Sequence, residues 1–249
     1  MANRPKPKFG DALSYTETDW LKYGEVANPS TRQKMILLGI EQVVEVGPVD
    51  FSAVAVCDRL DIKHPMVNHY FGNRDNFLSE ITWWAYQNWV RAVNRNFRSA
   101  PADPRKRLKA FINGEIDWAK KMGAVLILIH YPLVSQSTLT TITEEHQAEM
   151  QRYFEYHLAL ITLCVSDIRN GTVSPIDFDE HTVPKGKLLK KPSNFLTATQ
   201  ISWAVHGLAA WSTGKHVPTE TLGSQRIGNL TSDYAVKQMI KAILAMAEK

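Results

Sequence analysis

Apolar residues recur at three- and four-residue spacing along most of the chain, and no stretch alternates with the period of two that a strand requires. Thr31–Gly47 carries Ile36, Ile40, Val43 and Val44 on one stripe and stops at a glycine, as helices do. Ser52–Leu78 reads as two short helices joined by a tight turn, with a further helix starting straight after. Ser52 can cap the first of these, and Val54, Ala55 and Leu60 are spaced to pack one side of it. Asp61 stands where the chain must turn, and Asp tolerates left-handed backbone angles better than most residues. Ile62 then plugs back into the core. Pro65 suits the first turn of a new helix, where its missing N–H costs nothing. Val67 and Phe71, four apart, form the buried face of that helix and leave His64, Met66, Asn68, His69 and Tyr70 pointing elsewhere. Two helices at a steep angle, the second exposing polar and aromatic side chains, make a helix-turn-helix able to enter a DNA major groove.

Longer helices follow. One runs from Asn73 or Arg74 to about Arg98, with Phe77, Ile81, Trp84 and Asn88 on one side. Asp103–Pro104 supplies an N-cap and a first-turn proline for a helix to about Met122. Gly123–Tyr131 is short and apolar and is stopped by Pro132. A long helix is expected from about Leu139 or Thr143 to Asn170, ending at Gly171. Gly171–Ser193, with three prolines and four lysines, has no usable periodicity and is read as an irregular excursion, ordered or not. Ser193–Asn194 opens a helix to about His216, and Thr231–Lys249 forms the last. In the last, Val236, Met239, Ile240, Ile243, Leu244 and Ala247 lie on one face. The expected fold is all-α: an irregular basic arm over 1–28, a helix-turn-helix domain over 29–78 and a larger helical domain over 79–249.

The region from about 31 to 80 resembles the DNA-binding domain of the tetracycline-repressor (TetR) family. The matching features are the helix ending at Gly47, the short helix with Val56–Cys57, the turn with Ile62, the recognition helix ending in Tyr70–Phe71, and Arg74 opening the next helix. Three positions depart from the family pattern. Asp61 replaces the usual turn glycine, Lys63 and His64 stand where Ser or Thr opens the recognition helix, and Asn68 replaces a frequent tyrosine. The resemblance implies a homodimer that binds a palindromic double-stranded DNA operator, represses transcription and is released by a small hydrophobic effector. It also implies dimerisation through the last two helices, near 195–216 and 231–249, where Gly207, Ala209 and Ala210 allow close approach. The alternative is a protein of the same fold that binds DNA in an architectural or partner-binding role, with no effector.

Composition adds limits. With 249 residues, 44% of them hydrophobic, the chain can bury a sizeable core. The net charge of +4 permits nucleic-acid binding without demanding it. Nine Lys/Arg from Met1 to Arg74 stand against nine Asp/Glu, so attraction to DNA must come from the placement of Arg32, Lys34, Lys63 and Arg74. Arg4, Lys6 and Lys8 are read as a solvated tail, or as an arm reaching phosphates or the minor groove. Cys57 and Cys164 are expected to be buried free thiols in a reducing cytoplasm. No signal peptide is visible, and the longest apolar stretch falls short of the ~20 residues of a membrane span.

The candidate DNA-facing set is Arg32, Ser52, Lys63, His64, Met66, Asn68, His69, Tyr70 and Arg74. Asn68 can pair with adenine and Met66 can touch a thymine methyl. By resemblance, Arg74 takes a phosphate-contacting position. The candidate effector set is Trp84, Phe111, Glu115, Trp118, Phe154, His157 and Trp203, on four helices that the resemblance wraps around one cavity. Glu115 falls in the apolar series Leu108, Phe111/Ile112, Glu115, Ala119, Met122. If buried it needs a partner: a cationic effector, His130, His157 or His206. A carboxylate at the wet edge of the stripe is the other reading. No catalytic set, metal spacing such as H-E-x-x-H or phosphate loop is present, so the expectation is a non-enzyme with no metal and no cofactor.

Overall fold

Ser30 and Gln33 form a capping box: Ser30 Oγ accepts from the Gln33 N–H at 3.3 Å, and Gln33 Oε1 accepts from the Ser30 N–H at 2.8 Å. Helix α1 (Thr31–Val46) follows and ends at Gly47, whose φ of 85° suits only glycine well. The computed structural model describes residues 29–123, 144–212 and 233–248. The expectations for the arm 1–28, the apolar segment 124–131, residues 139–143, and the stretches 213–216 and 231–232 lie outside them. After α1 come α2 (Ala53–Leu60), α3 (Met66–Phe71), α4 (Arg74–Ser99), α5 (Pro104–Met122), α6 (Glu144–Asn170), α7 (Pro192–Ser212) and α8 (Asp233–Met246). The fold is all-α, with no strand among the described residues. The chain divides into two compact units inside α4: residues up to Asn88 belong to one, Trp89–Gly123 and Gln147 onward to the other. The division falls ten residues beyond the expected 78/79 boundary, because α4 is a single helix that contributes successive turns to two cores.

In the first unit the hub is Phe77. It is fully buried, stacks on Phe71 at 4.2 Å between centroids and meets Phe51 edge-on at 5.5 Å. Gly39 on α1 lets the backbone close on the same spot. A Cβ there would lie 2.4 Å from Ile81 Cδ1 and 3.3 Å from Phe77 Cζ. The buried side of α2 is Ala53, Val56 and Cys57, while Val54 is 46% exposed. This corrects the expected Val54–Ala55–Leu60 side. With Ser52 as the cap, the core takes Ala53 and the residues three and four beyond it. Arg59 on α2 ties back to α1 through an ion pair with the buried Glu41.

In the second unit α5 is capped by Asp103, which accepts from the Lys106 N–H at 2.9 Å, with Pro104 in the first turn. It packs against α7 and α8. Helix α6 is buried nearly all round from Tyr156 to Val165, the mark of a helix covered on every side. Residues 171–191 are an excursion tied down by side-chain bonds, a point the sequence left open. The Asp167 carboxylate accepts from Thr172 Oγ1, the Ser174 N–H and Ser174 Oγ, each at 2.8 Å. Arg107 donates to the Ser174 carbonyl at 2.8 Å and Arg98 to that of Phe178 at 2.7 Å. Phe178 and Leu188 are buried. Long-range side-chain bonds, not periodicity, order this segment.

The final helices depart from expectation in their orientation. On α8 the buried positions are Val236, Ile240, Ile243 and Ala247, spaced four, three and four apart, while Met239 is 47% exposed. Ile240 and Ile243 therefore serve the chain's own core. On α7 the core takes Ala198, Ile201, Val205, Leu208 and Ala209, leaving Leu196 and Trp203, seven apart, 57% and 68% exposed on another face. Cys57 and Cys164 are free and buried, and burial pushes the Cys164 thiol up to about 12. No described helix is long and apolar enough to cross a membrane.

Candidate nucleic-acid interface and effector site

The turn between α2 and α3 is closed by backbone bonds. Asp61 adopts φ 60°, ψ 42°, its N–H bonds to the Asp58 carbonyl at 3.2 Å, and the Ile62 N–H reaches back to Cys57 at 3.1 Å. These two bonds form a Schellman motif with a left-handed aspartate in the place glycine usually fills. Pro65 then leads into α3, whose Val67 and Phe71 are buried as the spacing predicts. The opposite side of the turn and helix carries Lys63, His64, Asn68 and His69, all exposed, with Met66 and Tyr70 half-buried. His64 Nε2 lies 2.8 Å from Asp58 Oδ1, and the His69 ring meets Tyr70 edge-on at 4.9 Å.

Other members of the candidate set are tied into the unit. Ser52 is the N-cap of α2: its Oγ accepts from the Ala55 N–H at 3.3 Å, and its own N–H donates to Gln42 Oε1 at 3.2 Å. Arg32 pairs with Glu80 at 2.9 Å and covers the Phe71 ring. Arg74 donates through Nε and Nη2 to the Phe51 carbonyl, at 3.3 and 3.1 Å, and through Nη2 to that of Pro48 at 3.4 Å. It thereby pins the loop that leads into α2, while Nη1 lies beside Asp75 at 3.4 Å. Among the described residues, Lys34 and Lys63 pair with no carboxylate. The cations left for phosphates are thus fewer than the sequence count suggests.

The second unit brings three helices together around Glu115. This residue is fully buried, which removes the wet-edge reading, and its Oε2 accepts from the Trp89 indole N–H at 2.7 Å. Oε1 faces His157 Nε2 at 3.6 Å and His206 Nε2 at 3.5 Å. Phe111 meets the His157 ring edge-on at 4.6 Å. Burial by itself pushes the Glu115 carboxyl up, but the two imidazoles outweigh it and hold the group well below the usual carboxylate range. Burial in turn lowers His157, outweighing the raising effect of Glu115. The site therefore gathers a carboxylate, two imidazoles and an indole N–H inside the second unit.

Of the candidate effector residues, Phe111, Glu115 and His157 meet here. Trp118 is fully buried on α5. Trp84 belongs to the first unit. Phe154 and Trp203 turn outward, 40% and 68% exposed, because the core takes His157 and His206, three residues further along each helix. Trp89 was outside the candidate set. Its signal was the need of a buried indole N–H for an acceptor.

Comparison with known proteins finds regulators named for the helix-turn-helix. The chain is 27% identical over 95 residues to the HTH-type transcriptional regulator BetI of Paraburkholderia phytofirmans, covering 38% of this chain and 49% of that protein. It is 26% identical over 98 residues to the regulator of the same name from Stenotrophomonas maltophilia, covering 39% and 50%. For BetI 1 of Chromohalobacter salexigens the figures are 26% over 89 residues, 36% and 44%. The chain thus spans about half the length of the curated relatives it matches, and no protein-family model matches it. The all-α chain with its α2–turn–α3 unit is thus similar, over part of its length, to HTH-type transcriptional regulators.

Proposed function

We propose that the chain is a sequence-specific DNA-binding transcriptional regulator, a repressor that grips a palindromic operator as a homodimer. The observation that supports this most directly is the α2–turn–α3 unit, with Val67 and Phe71 committed to the core and Lys63, His64, Asn68 and His69 left outward. A six-residue helix with that division has no packing use for its outer face. The likeness to HTH-type transcriptional regulators supports the same reading. Repressor action, dimerisation and the effector are carried by the resemblance and by two features of the second unit. The exposed apolar face of α7, with Leu196 and Trp203, needs a cover, and a second copy supplies one. The buried carboxylate–imidazole cluster gives an effector a polar anchor. Helix α4 starts with Arg74 and carries Trp89 about four turns later, so an effector that moves Trp89 acts on the helix that also pins the α2 loop.

Two substitutions separate reading from positioning. Asn68→Ala should relax preference at one base position and cost roughly 1–3 kcal/mol at the matched site. Arg74→Ala, which removes a partly exposed cation and also frees the loop before α2, should weaken operator and random DNA alike and flatten the log–log salt dependence by about one unit. Anisotropy titrations on matched, mismatched and random duplexes at several salt concentrations give both. Identical profiles for the two variants would contradict the assignment.

A further inference from the structure

We propose that Glu115, His157 and His206 form a binding site for a divalent transition-metal ion of the Zn2+ class. The three side chains come from α5, α6 and α7, and their nearest donor atoms all lie within 4.8 Å of one another. Two imidazoles and a carboxylate are a common donor set for such an ion, with a fourth position left open.

The two separations from Glu115 fit coordination better than hydrogen bonding. Bonds of about 2.0–2.1 Å in a tetrahedron separate neighbouring donors by about 3.3–3.4 Å. The Glu115 Oε1 distances are 3.5 Å to His206 Nε2 and 3.6 Å to His157 Nε2. Good hydrogen bonds to nitrogen are shorter, about 2.7–3.2 Å. Glu115 Oε1 accordingly has no hydrogen-bond partner, nor has either ring nitrogen of His157, and the two residues are 0% and 2% exposed. A buried carboxylate oxygen left in that state is costly, and a cation at the centre of the three donors removes the cost. The other oxygen is fixed by the Trp89 indole N–H at 2.7 Å. Such an outer bond orients a ligating carboxylate and holds Oε1 toward the imidazoles. Trp89 is therefore a positioning residue of the site.

The absence of a metal-type spacing in the sequence does not bear on this set, because each ligand comes from a different helix. The inference rests on the effector reading only in naming the effector; metal binding itself is measured without DNA. Chelator-treated full-length protein is titrated with Co2+, then with Zn2+. The expected result is one Co2+ per chain with the visible bands of a low-symmetry four-coordinate ion, displaced by Zn2+, and a melting temperature raised by either metal. His206→Gln, at the least buried of the three positions, should abolish the bands while leaving the metal-free melting curve close to that of the parent. Trp89→Phe should keep the site and weaken it about 10–100-fold. Absence of binding, or binding that survives both His206→Gln and Glu115→Gln, would overturn the proposal. So would tetramethylammonium binding that Glu115→Gln removes in a protein that takes up no Zn2+. Metal binding that leaves DNA affinity unchanged would uphold the site and remove the effector reading instead.

Discussion

Phe77→Ala is expected to lower the stability of the helix-turn-helix unit by about 3–5 kcal/mol, the usual cost of emptying a buried phenylalanine site. Phe77 joins four parts of the unit at once. It stacks on Phe71 of α3, meets Phe51 ahead of α2, and lies against Gly39 of α1 from its own place on α4. Little can collapse into the space, because Ile81 and Gly39 are already in close approach. Phe71 would lose its stacking partner, and with it the anchor that turns Asn68 and His69 outward. Urea unfolding followed by far-UV circular dichroism should show an early transition for this unit. Specific DNA binding should fall with it. A variant as stable as the parent would mean that Phe77 is not the centre of this core.

The second large effect is expected at the outer apolar face. Trp203 is 68% exposed and Leu196 57%, seven residues apart on one face of α7, and a shared apolar face rather than scattered single exposures marks an interaction surface. A central tryptophan is a typical anchor of an interface, and its loss costs about 2 kcal/mol or more. Trp203→Glu adds a charge that the interface would have to desolvate. Sedimentation should therefore show a weaker dimer, with a dissociation constant at least ~30-fold above the parent's and the fold of each chain intact. Ile240 and Ile243, which periodicity alone places on the dimer face, should behave differently. They are 9% and 2% exposed within one chain, so acidic substitutions there should unfold the second unit rather than separate two folded copies.

That contrast marks what local sequence could and could not convey. The recognition unit was legible because its signals are local: a capping serine, a left-handed aspartate, a proline start and two apolar residues four apart. Asp61 takes the left-handed turn that its chemistry allows, so the departure from glycine leaves the motif intact. The place of Glu115 in an apolar stripe was legible too, although only the packed helices decide that it is buried. Phe154 and His157, or Trp203 and His206, stand three residues apart on neighbouring parts of one helical surface. Which of each pair faces the core is set by the rotation of the helix against its neighbours, and no periodicity reports that. Helix α7 is apolar on two sides, so the pattern alone could not name the covered one. The order in residues 171–191 depends on Arg98, Arg107 and Asp167, far off in sequence or on another element. Tethering of Arg32 and Arg74 depends equally on Glu80 and on the Phe51 carbonyl.

The most direct measurement of the central claim is selection of bound sequences from a pool of random duplexes by the full-length protein, followed by footprinting on the winner. The account predicts a pseudo-palindrome, protected on two half-sites whose centres lie about one helical turn apart, ~34–36 Å, or a multiple of it. A pool that never enriches, or one that yields only asymmetric single sites insensitive to Asn68→Ala, would contradict it.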